Sequence, residues 1–540
     1  MQLIPQPMFA DYDILLACGL LIFWCGYWLV HISAICYGKY KLYRKPKPES
    51  SVQSIPSLVS LEHGLPRNTK KQYPGVSILK PLLGVDPNLF VNLSSYFQME
   101  YPTYEVLICV VDQNDPAAMV ANRLLEMYPS VDARLFLGGS QVGVNPKINN
   151  VHAAYQAAKY SLILISDSSI KSIQIINTFF GFEIKLKKFK LIYLINLLLF
   201  AVKKDTLSDM VDNMADDVAI VHQVPFTCDR IDNRTEPMTS PLSNNTTDPS
   251  SFLKLDGKVE YQYQTRKQRR FVSTLEKVFF GTAHARVYLM ADLVGAICHT
   301  GMSTLLRKQA MDECGGLQAF ASYLAEDYFM AKFVVARGWR TTISSRPALQ
   351  NNGGSELSKF QDRLRRWVKL RIAMVPHTIV LEPLSECLIL GACAAWAANT
   401  LSGGSIDPYA FYMIHVLVWF LLDWILLNVM QNGPLPFTKF EYLVAWLYRE
   451  FMGPYLFLTA LLWRPSVVTW TTRQYRLRWG GLSEIYNQQS TSSSSDSITA
   501  TVPIATTTSV TYDTTVPNNY CSTHQQQPPN GIGFTSKIKV

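Results

Sequence analysis

A nearly continuous apolar run from Ile14 to Tyr37 limits what this chain can fold into more than any other feature. At roughly 1.5 Å per helical residue, it can cross a hydrocarbon core about 30 Å thick. It predicts a retained signal anchor, because positive charge follows the run instead of preceding it. The basic residues after it are Lys39, Lys41, Arg44, Lys45 and Lys47. The positive-inside rule then predicts a short lumenal N-terminus at 1–13, a transmembrane anchor at 14–37 and a basic juxtamembrane linker at 38–74 in the cytosol.

Three more apolar stretches crowd the last third of the chain and predict a helical membrane region at 377–465. They run from Leu384 to Leu401, from Tyr409 to Met430 and from Tyr442 to Trp463. The first two are predicted to span. The third carries Arg449 and Glu450 near its middle, so it either crosses with those charges paired internally or lies re-entrant or interfacial. Asp423 is the candidate partner of Arg449, and a position of both charges near an aqueous edge is the alternative.

Composition favours a soluble domain carried by these membrane segments. The 540 residues exceed one compact domain, and a hydrophobic fraction of 48% with a net charge of +9 fits that division. The ten cysteines form no CxxC motif or Cys/His cluster, which predicts reduced thiols instead of a disulfide framework or zinc site. Residues 466–486 form a basic post-membrane segment, and the Ser-, Thr- and Gln-rich tail at 487–540 is predicted to be disordered. No nucleic-acid partner is predicted.

Between residues 75 and 376, short apolar runs alternate with helix-compatible stretches. The first four runs are Val76–Pro81, Glu105–Val111, Ala133–Leu137 and Ser161–Ser166. This alternation predicts a doubly wound, largely parallel α/β sheet. Ligands bind such sheets at the carboxyl ends of the strands, and Asp112, Asp115 and Asp167 follow strands there.

Each of these aspartates has a plain alternative role, because an Asp after a strand is most often a turn former or a helix cap. Their joint placement, together with Lys147 and Asn149 in the run from Asn145, favours a ligand site. We expect Asp167 to hold a divalent ion through oxygen ligands. That ion and Lys147 would neutralise a diphosphate.

A second motif lies further along the chain, where Glu326-Asp327 is followed by Arg363-Leu-Arg-Arg366-Trp367. A Glu-Asp pair and an RxxRW element ahead of a hydrophobic C-terminal third are typical of a membrane glycosyltransferase. Inverting sugar transfer needs a carboxylate to take a proton from the acceptor hydroxyl, and cationic donors to hold the leaving diphosphate. Asp327 is the predicted base, and Arg363 and Arg366 are the predicted cationic hydrogen-bond donors to the diphosphate.

Four motifs together resemble the ceramide glucosyltransferases over roughly residues 12–485, apart from two insertions. They are Gly75-Val-Ser-Ile-Leu-Lys-Pro-Leu-Leu-Gly, Asn145-Pro-Lys-Ile-Asn-Asn, Ala325-Glu-Asp-Tyr-Phe-Met-Ala-Lys and Arg363-Leu-Arg-Arg-Trp. The resemblance implies an α/β GT-A-type (Rossmann-like) domain on the cytosolic face of the Golgi or ER membrane. It also implies transfer of glucose from UDP-glucose to ceramide with inversion, and a divalent ion, Mg²⁺ or Mn²⁺.

The resemblance also assigns roles to single residues. Asp115 would contact the uracil or ribose, and Asp167 the metal and diphosphate. Asp327 would be the catalytic base, and His284 and Glu326 would lie at the acceptor site. The remaining donor-binding residues are Lys147, Arg363, Arg366 and Trp367.

The sequence departs from this family at two insertions, about 175–203 and 231–270. The first is apolar and lysine-laden, with an amino-acid usage typical of AT-rich codons. It is interpreted as translated noncoding sequence, and an interfacial helix is the alternative. The second contains acceptor-like Asn233 and Asn244, which should stay unmodified on a cytosolic domain. Where the family has Ser-Gly after the aspartate that matches Asp167, this chain has Ser168-Ser169. The loss of glycine would shift a close approach of the backbone at this point.

Two other functions stay open at this stage. One is a processive polysaccharide synthase, which shares the RxxRW element but needs more spans than three C-terminal apolar stretches provide. The other is an inactive membrane homologue, in which the insertion after Asp167 has disabled the site. Ceramide, UDP-glucose and membrane lipid are the expected partners, and a homo-oligomer is compatible with the sequence.

Overall fold

The computed structural model describes residues 7–43, 73–172, 206–229, 266–353, 356–470 and 473–486. The predicted insertion at 175–203, most of the one at 231–270, most of the linker at 38–74 and the tail at 487–540 lie outside these residues.

The α/β domain is built on a seven-stranded sheet with the order β3-β2-β1-β4-β8-β6-β9. Its strands are β1 (Val76–Leu82), β2 (Tyr104–Val110), β3 (Ala133–Leu137), β4 (Leu162–Ser166), β6 (Val218–His222), β8 (Ser303–Arg307) and β9 (Arg340–Ile343). Strands β1, β2 and β4 are almost wholly buried, as continuous apolar runs require when helices cover both faces. The four predicted runs therefore form strands, and β1 to β4 pair in parallel as expected.

Helices follow the strands and complete the layers of the domain. They are α2 (Leu89–Phe97), α3 (Pro116–Met127), α4 (Pro146–Gln156), α5 (Thr206–Asp212), α6 (Arg266–Phe279), α7 (Ala285–Val294), α8 (Lys308–Asp312), α9 (Glu326–Val335) and α10 (Leu357–Met374). Asp115 and Asn145 cap α3 and α4, and in both helices a proline occupies the first turn. Asp/Asn caps followed by proline start a helix sharply, which places the side chains of the first turn at the sheet edge.

The sheet is mixed, whereas the sequence predicted a largely parallel one. Strand β8 lies antiparallel to both β4 and β6, while β6 and β9 are parallel. A strand-helix alternation indicates how many strands a sheet has but not the direction of each. The reversal has a local consequence: the start of β8 meets the end of β4, where the Asp167 amide donates to the Met302 carbonyl at 2.9 Å.

Two small sheets flank this core. One contains β5 (Ile170–Lys171), β7 (Pro225–Thr227) and β10 (Ala348–Gln350), and the other contains β11 (Val467–Trp470), β12 (Arg473–Leu477) and β13 (Ser483–Ile485). The second sheet follows the last apolar helix and bonds back to the α/β domain. The Ser483 amide donates to the Ser322 carbonyl at 3.0 Å, and Tyr323 forms a bridge with Leu482.

In the part of the chain that the structure describes, five helices are largely apolar: α1 (Pro7–Leu42), α11 (Thr378–Leu384), α12 (Cys387–Leu401), α13 (Pro408–Gln431) and α14 (Lys439–Leu462). Within the described residues, the segment Tyr12–Leu42 and helix α13 are long and apolar enough to cross a membrane. Helices α11 and α12 qualify only as a pair, and they meet at an 80° bend. The proposed partnership of Asp423 and Arg449 is confirmed, with 2.7 Å between Asp423 Oδ2 and Arg449 Nη2.

Candidate active site

Lys147 lies at the centre of a group of charged residues at the sheet edge. The Asn145 side chain accepts from the Lys147 and Ile148 amides and so fixes the first turn of α4. From there Lys147 Nζ lies 2.8 Å from Asp167 Oδ1 and 3.5 Å from Glu326 Oε1. The structure thus brings together three residues that the sequence selected from separate motifs.

Asn145 also ties α4 to the start of α9. Its Nδ2 donates to Glu326 Oε2 at 2.9 Å and to the Tyr323 carbonyl at 2.7 Å. The Glu326 carboxylate is buried between Asn145 and Lys147. These contacts hold the first turn of α9, where Asp327 is the next residue.

The Asp327 carboxylate is oriented by backbone amides. Its Oδ2 accepts from the Gly301 amide and its Oδ1 from the Tyr328 amide, both at 2.8 Å. Gly301 also accepts from Lys147 Nζ at 2.7 Å. A Cβ on Gly301 would lie 3.1 Å from Lys147 Nζ and 3.2 Å from Glu326 Oε1. Only glycine fits there without displacing charged groups.

Burial controls the charge of this acidic pair. The pKa of Glu326 is raised to about 7: burial is the largest cause, the charge of Lys147 opposes the shift, and the charge of Asp327 adds to it. Burial also raises the pKa of Asp327, while the amides of Tyr328 and Gly301 act against the shift. For Lys147, burial alone would lower the pKa, but Asp167 and Glu326 raise it overall. Lys147 is therefore cationic, and the two acids together are poised to exchange a proton near neutral pH.

Lys80, on β1, holds the backbone of Asp167 in place through hydrogen bonds. It is fully buried, and its Nζ donates to the Asp167 carbonyl at 2.7 Å and to Ser166 Oγ at 3.3 Å. Burial lowers the pKa of Lys80 to about 7 despite the nearby Asp167 charge. Lys80 therefore fixes the backbone that carries Asp167, whose own side chain is 35% exposed.

Asp115 has the capping role that was its plain alternative. Its Oδ1 accepts from the Ala117 amide at the start of α3, and its Oδ2 accepts from the Gly84 amide, both at 2.8 Å. The carboxylate thereby links the loop after β1 to α3. Each carboxylate oxygen has a second lone pair, so the predicted contact of Asp115 with the uracil or ribose remains compatible with this geometry.

The RxxRW element lies on α10 and packs against aromatic rings. The Arg363 guanidinium is 5.3 Å from the Phe280 ring and 5.4 Å from the Trp367 ring, and its Nη1 donates to Gln350 Oε1 at 3.1 Å. Arg366 lies 5.4 Å from the Trp470 ring, which β11 supplies. Burial lowers the pKa of Arg366, with a smaller effect of Arg363 in the same direction. Cationic groups packed in this way are preorganised and only weakly hydrated.

His284 joins this aromatic group from a short π-helix, Phe280–His284. Its ring lies 5.7 Å from Trp367 and 4.6 Å from Tyr288. Burial lowers the pKa of His284 to about 3, and the charges of Arg371 and Arg363 contribute. The imidazole is therefore neutral, and its buried Nδ1 has no hydrogen-bond partner among the described residues.

The site fits a metal ion that is bound partly by the protein and partly by a substrate. Among the described residues, no three His, Cys, Asp or Glu side chains come together as a metal cage. Asp167 offers a partly exposed carboxylate, already paired with Lys147. Mg²⁺ is commonly held by one or two carboxylates plus substrate phosphates, and this site fits an ion of that kind.

Comparison with known proteins identifies the family. The model of glycosyl transferase family 21 matches residues 26–175 and 252–483. The chain belongs to glycosyl transferase family 21. The match leaves 176–251 uncovered, which includes nearly all of the predicted insertion at 175–203.

Two relatives of this family 21 enzyme come from Caenorhabditis elegans. Ceramide glucosyltransferase 3 is 36% identical over 465 residues, covering 86% of this chain and 81% of the relative. Ceramide glucosyltransferase 1 is 34% identical over 492 residues, covering 89% and 86%. The family and these relatives confirm that the chain is a glycosyltransferase, with the predicted GT-A-type fold.

Solved structures resemble the family 21 chain only distantly. A mannosyltransferase from Pyrobaculum calidifontis, in complex with GDP-Man and Mn²⁺, aligns with a TM-score of 0.36 at 14% identity. The alignment covers 78% of this chain and 98% of the mannosyltransferase.

Sequence reasoning overlooked two residues of the family 21 site. Gly301 acts through its backbone, and a lone glycine before a strand is too common to be noticed. Lys80 lies within a predicted buried strand, and the alternation of strands and helices alone gives no reason for a buried lysine. Asn149 is placed differently from expectation: its Oδ1 accepts from the Val142 and Gly143 amides and closes a loop. Ser169 does not adopt a positive φ, so replacing the family's glycine causes no backbone strain.

Proposed function

We propose that this family 21 enzyme transfers glucose from UDP-glucose to the primary hydroxyl of ceramide, with inversion, to form β-glucosylceramide. The two ceramide glucosyltransferases from Caenorhabditis elegans support this substrate pair, because each aligns over more than four-fifths of its own length. The structural observation that carries the mechanism is the Asp327 carboxylate, oriented by two amides beside a cationic Lys147.

In the proposed reaction, Asp327 removes the proton from the acceptor hydroxyl as its oxygen attacks the anomeric carbon. The bond from that carbon to the UDP oxygen breaks, and its electron pair leaves with the diphosphate. Burial raises the pKa of Asp327, which makes its carboxylate a stronger proton acceptor than an ordinary aspartate. Attack opposite to the leaving group inverts the configuration at the anomeric carbon.

The leaving diphosphate requires positive charge, and the site provides it from two elements. The proposed hydrogen-bond donors to the diphosphate are Lys147 on α4 and Arg363 and Arg366 on α10. Asp167 is the proposed protein ligand of a Mg²⁺ or Mn²⁺ ion, which when bound would add further positive charge at the diphosphate. Asp115 and Trp367 complete the proposed donor site.

The acceptor site is proposed at the aromatic group around His284. A buried ring nitrogen without a partner among the described residues can hydrogen-bond a polar group of the acceptor. Trp367 and Phe280 line the same place with apolar surface. Glu326 would orient the acceptor side of the site through Lys147 and Asn145.

We place the enzyme in the Golgi or ER membrane with its catalytic domain facing the cytosol. The basic residues that follow the N-terminal helix support this orientation. A site at the bilayer surface could reach a two-chain lipid without extracting it.

A donor and acceptor assay tests the proposal. Membranes containing the enzyme receive fluorescent ceramide with either UDP-glucose or UDP-galactose, and matched membranes carry Asp327→Asn. We expect fluorescent glucosylceramide with UDP-glucose, little product with UDP-galactose, and none above background from the variant. A polymer without labelled lipid product would indicate a polysaccharide synthase. No product from either donor would contradict the proposal.

A further inference from the structure

Helices α1 and α13 run side by side in the same direction. Ring contacts pair Trp24 with Phe411 at 5.4 Å, and Trp28 with His415 at 5.4 Å. Further along both helices, His31 Nε2 lies 3.2 Å from Asp423 Oδ1. Residue numbers rise together along the two helices, so they are parallel.

Both helices end at the catalytic domain. Near the end of α1, Lys41 Nζ donates to Thr342 Oγ1 of β9 at 3.1 Å. At the last residue of α13, Gln431 Nε2 donates to Asp229 Oδ2 at 3.0 Å, and Lys277 of α6 donates to Gln431 Oε1 at 2.9 Å. The segment after α13 therefore starts on the catalytic side.

Helix α12 runs in the opposite direction to α13. The His415 ring lies 3.0 Å from the Cys387 carbonyl at the start of α12, and Gly391, one turn later, packs against His415 and Tyr412. The chain thus passes away from the catalytic domain in α12 and returns in α13. With 15 residues, α12 is about 22 Å long, and tilt or local thinning of the bilayer accommodates such a short crossing.

Charged residues meet where these helices join the catalytic domain. We call this the junction cluster: His31, Arg286, Glu386, Asp423, Arg449 and Glu450. Asp423 Oδ1 lies 3.2 Å from Arg286 Nη1, and Glu386 lies against Gly453 of α14. Arg449 donates to Thr282 of the π-helix that carries His284. Because ionised side chains are costly in hydrocarbon, the junction cluster marks the catalytic-side boundary of the membrane.

Helix α14 lies along the catalytic domain over its whole length. Near its start, Glu441 Oε1 is 2.7 Å from Arg270 Nε, and its middle carries two residues of the junction cluster. At its end, Lys369 Nζ of α10 donates to the Trp463 carbonyl at 2.9 Å. If this 24-residue helix crossed the bilayer, its contacts would draw the arginine-rich α10 into hydrocarbon as well.

The opposite face of α14 is an exposed apolar stripe. It consists of Phe440, Leu447, Phe451, Tyr455, Leu458 and Leu462, spaced three, four or seven residues apart along one face. Phe451 is 67% exposed and Leu462 is 78% exposed. A helix with a charged side on a domain and an apolar stripe outward fits the plane of a leaflet.

We propose that α14 does not cross the membrane but lies in the leaflet on the catalytic side, with its apolar stripe against the lipid acyl chains. The bilayer is then crossed by α1, α12 and α13. An even number of crossings between α10 and β11 is required, because the β11–β13 sheet bonds back to the catalytic domain at Ser322. Helices α12 and α13 supply those two crossings. The inference does not depend on which sugar or acceptor is used.

Glycosylation tags test the crossings in the full-length chain. One acceptor tag is inserted between Gly403 and Gly404, a second beside Gly433, and a third after Val540, each expressed in sealed microsomes. We expect glycosylation of the first tag only, with the other two reached by protease from the cytosolic side. A glycosylated tag at Gly433 with an unmodified tag at Gly403 would overturn the proposal, because α13 and α14 would then be the crossing pair. Glycosylation after Val540 would also contradict it.

A depth measurement tests the orientation of α14 without inserted tags. A genetically encoded fluorescent residue replaces Phe440, Phe451 or Leu462 in turn, and lipids brominated at different acyl depths quench it. An in-plane helix gives a similar quenching depth at all three positions. The matched control is α13, where Tyr409, Leu417 and Ile425 should give different depths. A centre-deep Phe451 between two shallow ends would contradict the proposal.

Discussion

At the scale of single residues, the chemistry depends on a few atoms around Gly301. Its amide orients Asp327 and its carbonyl holds Lys147, so one backbone unit sets the distance between the base and a cation. Lys147 itself was predictable from its motif. Gly301 was not, because its contacts pass through the backbone and depend on the antiparallel placement of β8.

Replacing Gly301 with alanine tests this arrangement. The new Cβ would press on Lys147 Nζ and Glu326 Oε1, so we expect kcat to fall on the order of 10-fold, with the protein still folded. Turnover and expression in membranes provide the measurement. Gly433→Ala is the matched control, since the nearest atom to its Cβ would be 3.8 Å away. Equal activity in both variants would remove Gly301 from the site.

The acidic pair predicts a pH effect. A protonated Asp327 cannot accept a proton, so activity falls as the pH drops through its pKa. Glu326→Gln removes the neighbouring negative charge and the group with a pKa of about 7. We therefore expect the acidic limb of kcat/KM to move to lower pH in this variant, whatever its maximal rate. A limb that stays in place would indicate that Glu326 and Asp327 titrate independently.

At the scale of elements, α10 connects three parts of the molecule. Its arginines face the aromatic group at Trp367 and the Trp470 ring of β11, and its Lys369 holds the end of α14. The sequence predicted the four parallel strands and the apolar helices because their periodicity is local. It could not predict the antiparallel β8 or the return of β11–β13 to the segment before α9, since both depend on pairings distant in the chain.

Arg366 provides the test of this element. We expect Arg366→Ala to cost roughly 2–4 kcal/mol of transition-state stabilisation, the scale for loss of one preorganised donor. Lys359→Ala, on the same helix, is the control, because Lys359 pairs with Glu356 and is 74% exposed. Comparison of kcat with UDP affinity in the two variants provides the measurement. If Arg366→Ala lowers expression instead of rate, Arg366 has only a packing role.

At the scale of the whole molecule, we propose that the catalytic domain is held against the membrane by α1, α12, α13 and α14. The predicted N-terminal anchor and the Asp423–Arg449 pair could be read from hydropathy and charge alone. Whether the third C-terminal apolar stretch, which forms α14, crosses the membrane could not be predicted in this way, because it depends on which elements pack along α14. Oligomeric state stays a prediction.

The segment at 175–203 gives a prediction at this scale. It falls almost entirely in the part that the family model leaves unmatched, and its amino-acid usage is typical of AT-rich codons, which favours translated noncoding sequence. We expect a chain lacking 175–203 to be at least as active and better folded. A size-matched Gly/Ser replacement separates the effect of spacer length from that of sequence. Loss of activity on deletion, with transcripts that uniformly contain the segment, would contradict this interpretation.

The central claim is that Asp327 is the base of a lipid glucosyltransferase, and the turnover of Asp327→Asn with UDP-glucose and ceramide tests it most directly. Asparagine keeps the size of the side chain but cannot take the acceptor proton. We predict a loss of at least ~10²-fold in kcat with nearly unchanged UDP binding. Near-normal turnover in Asp327→Asn would contradict the account.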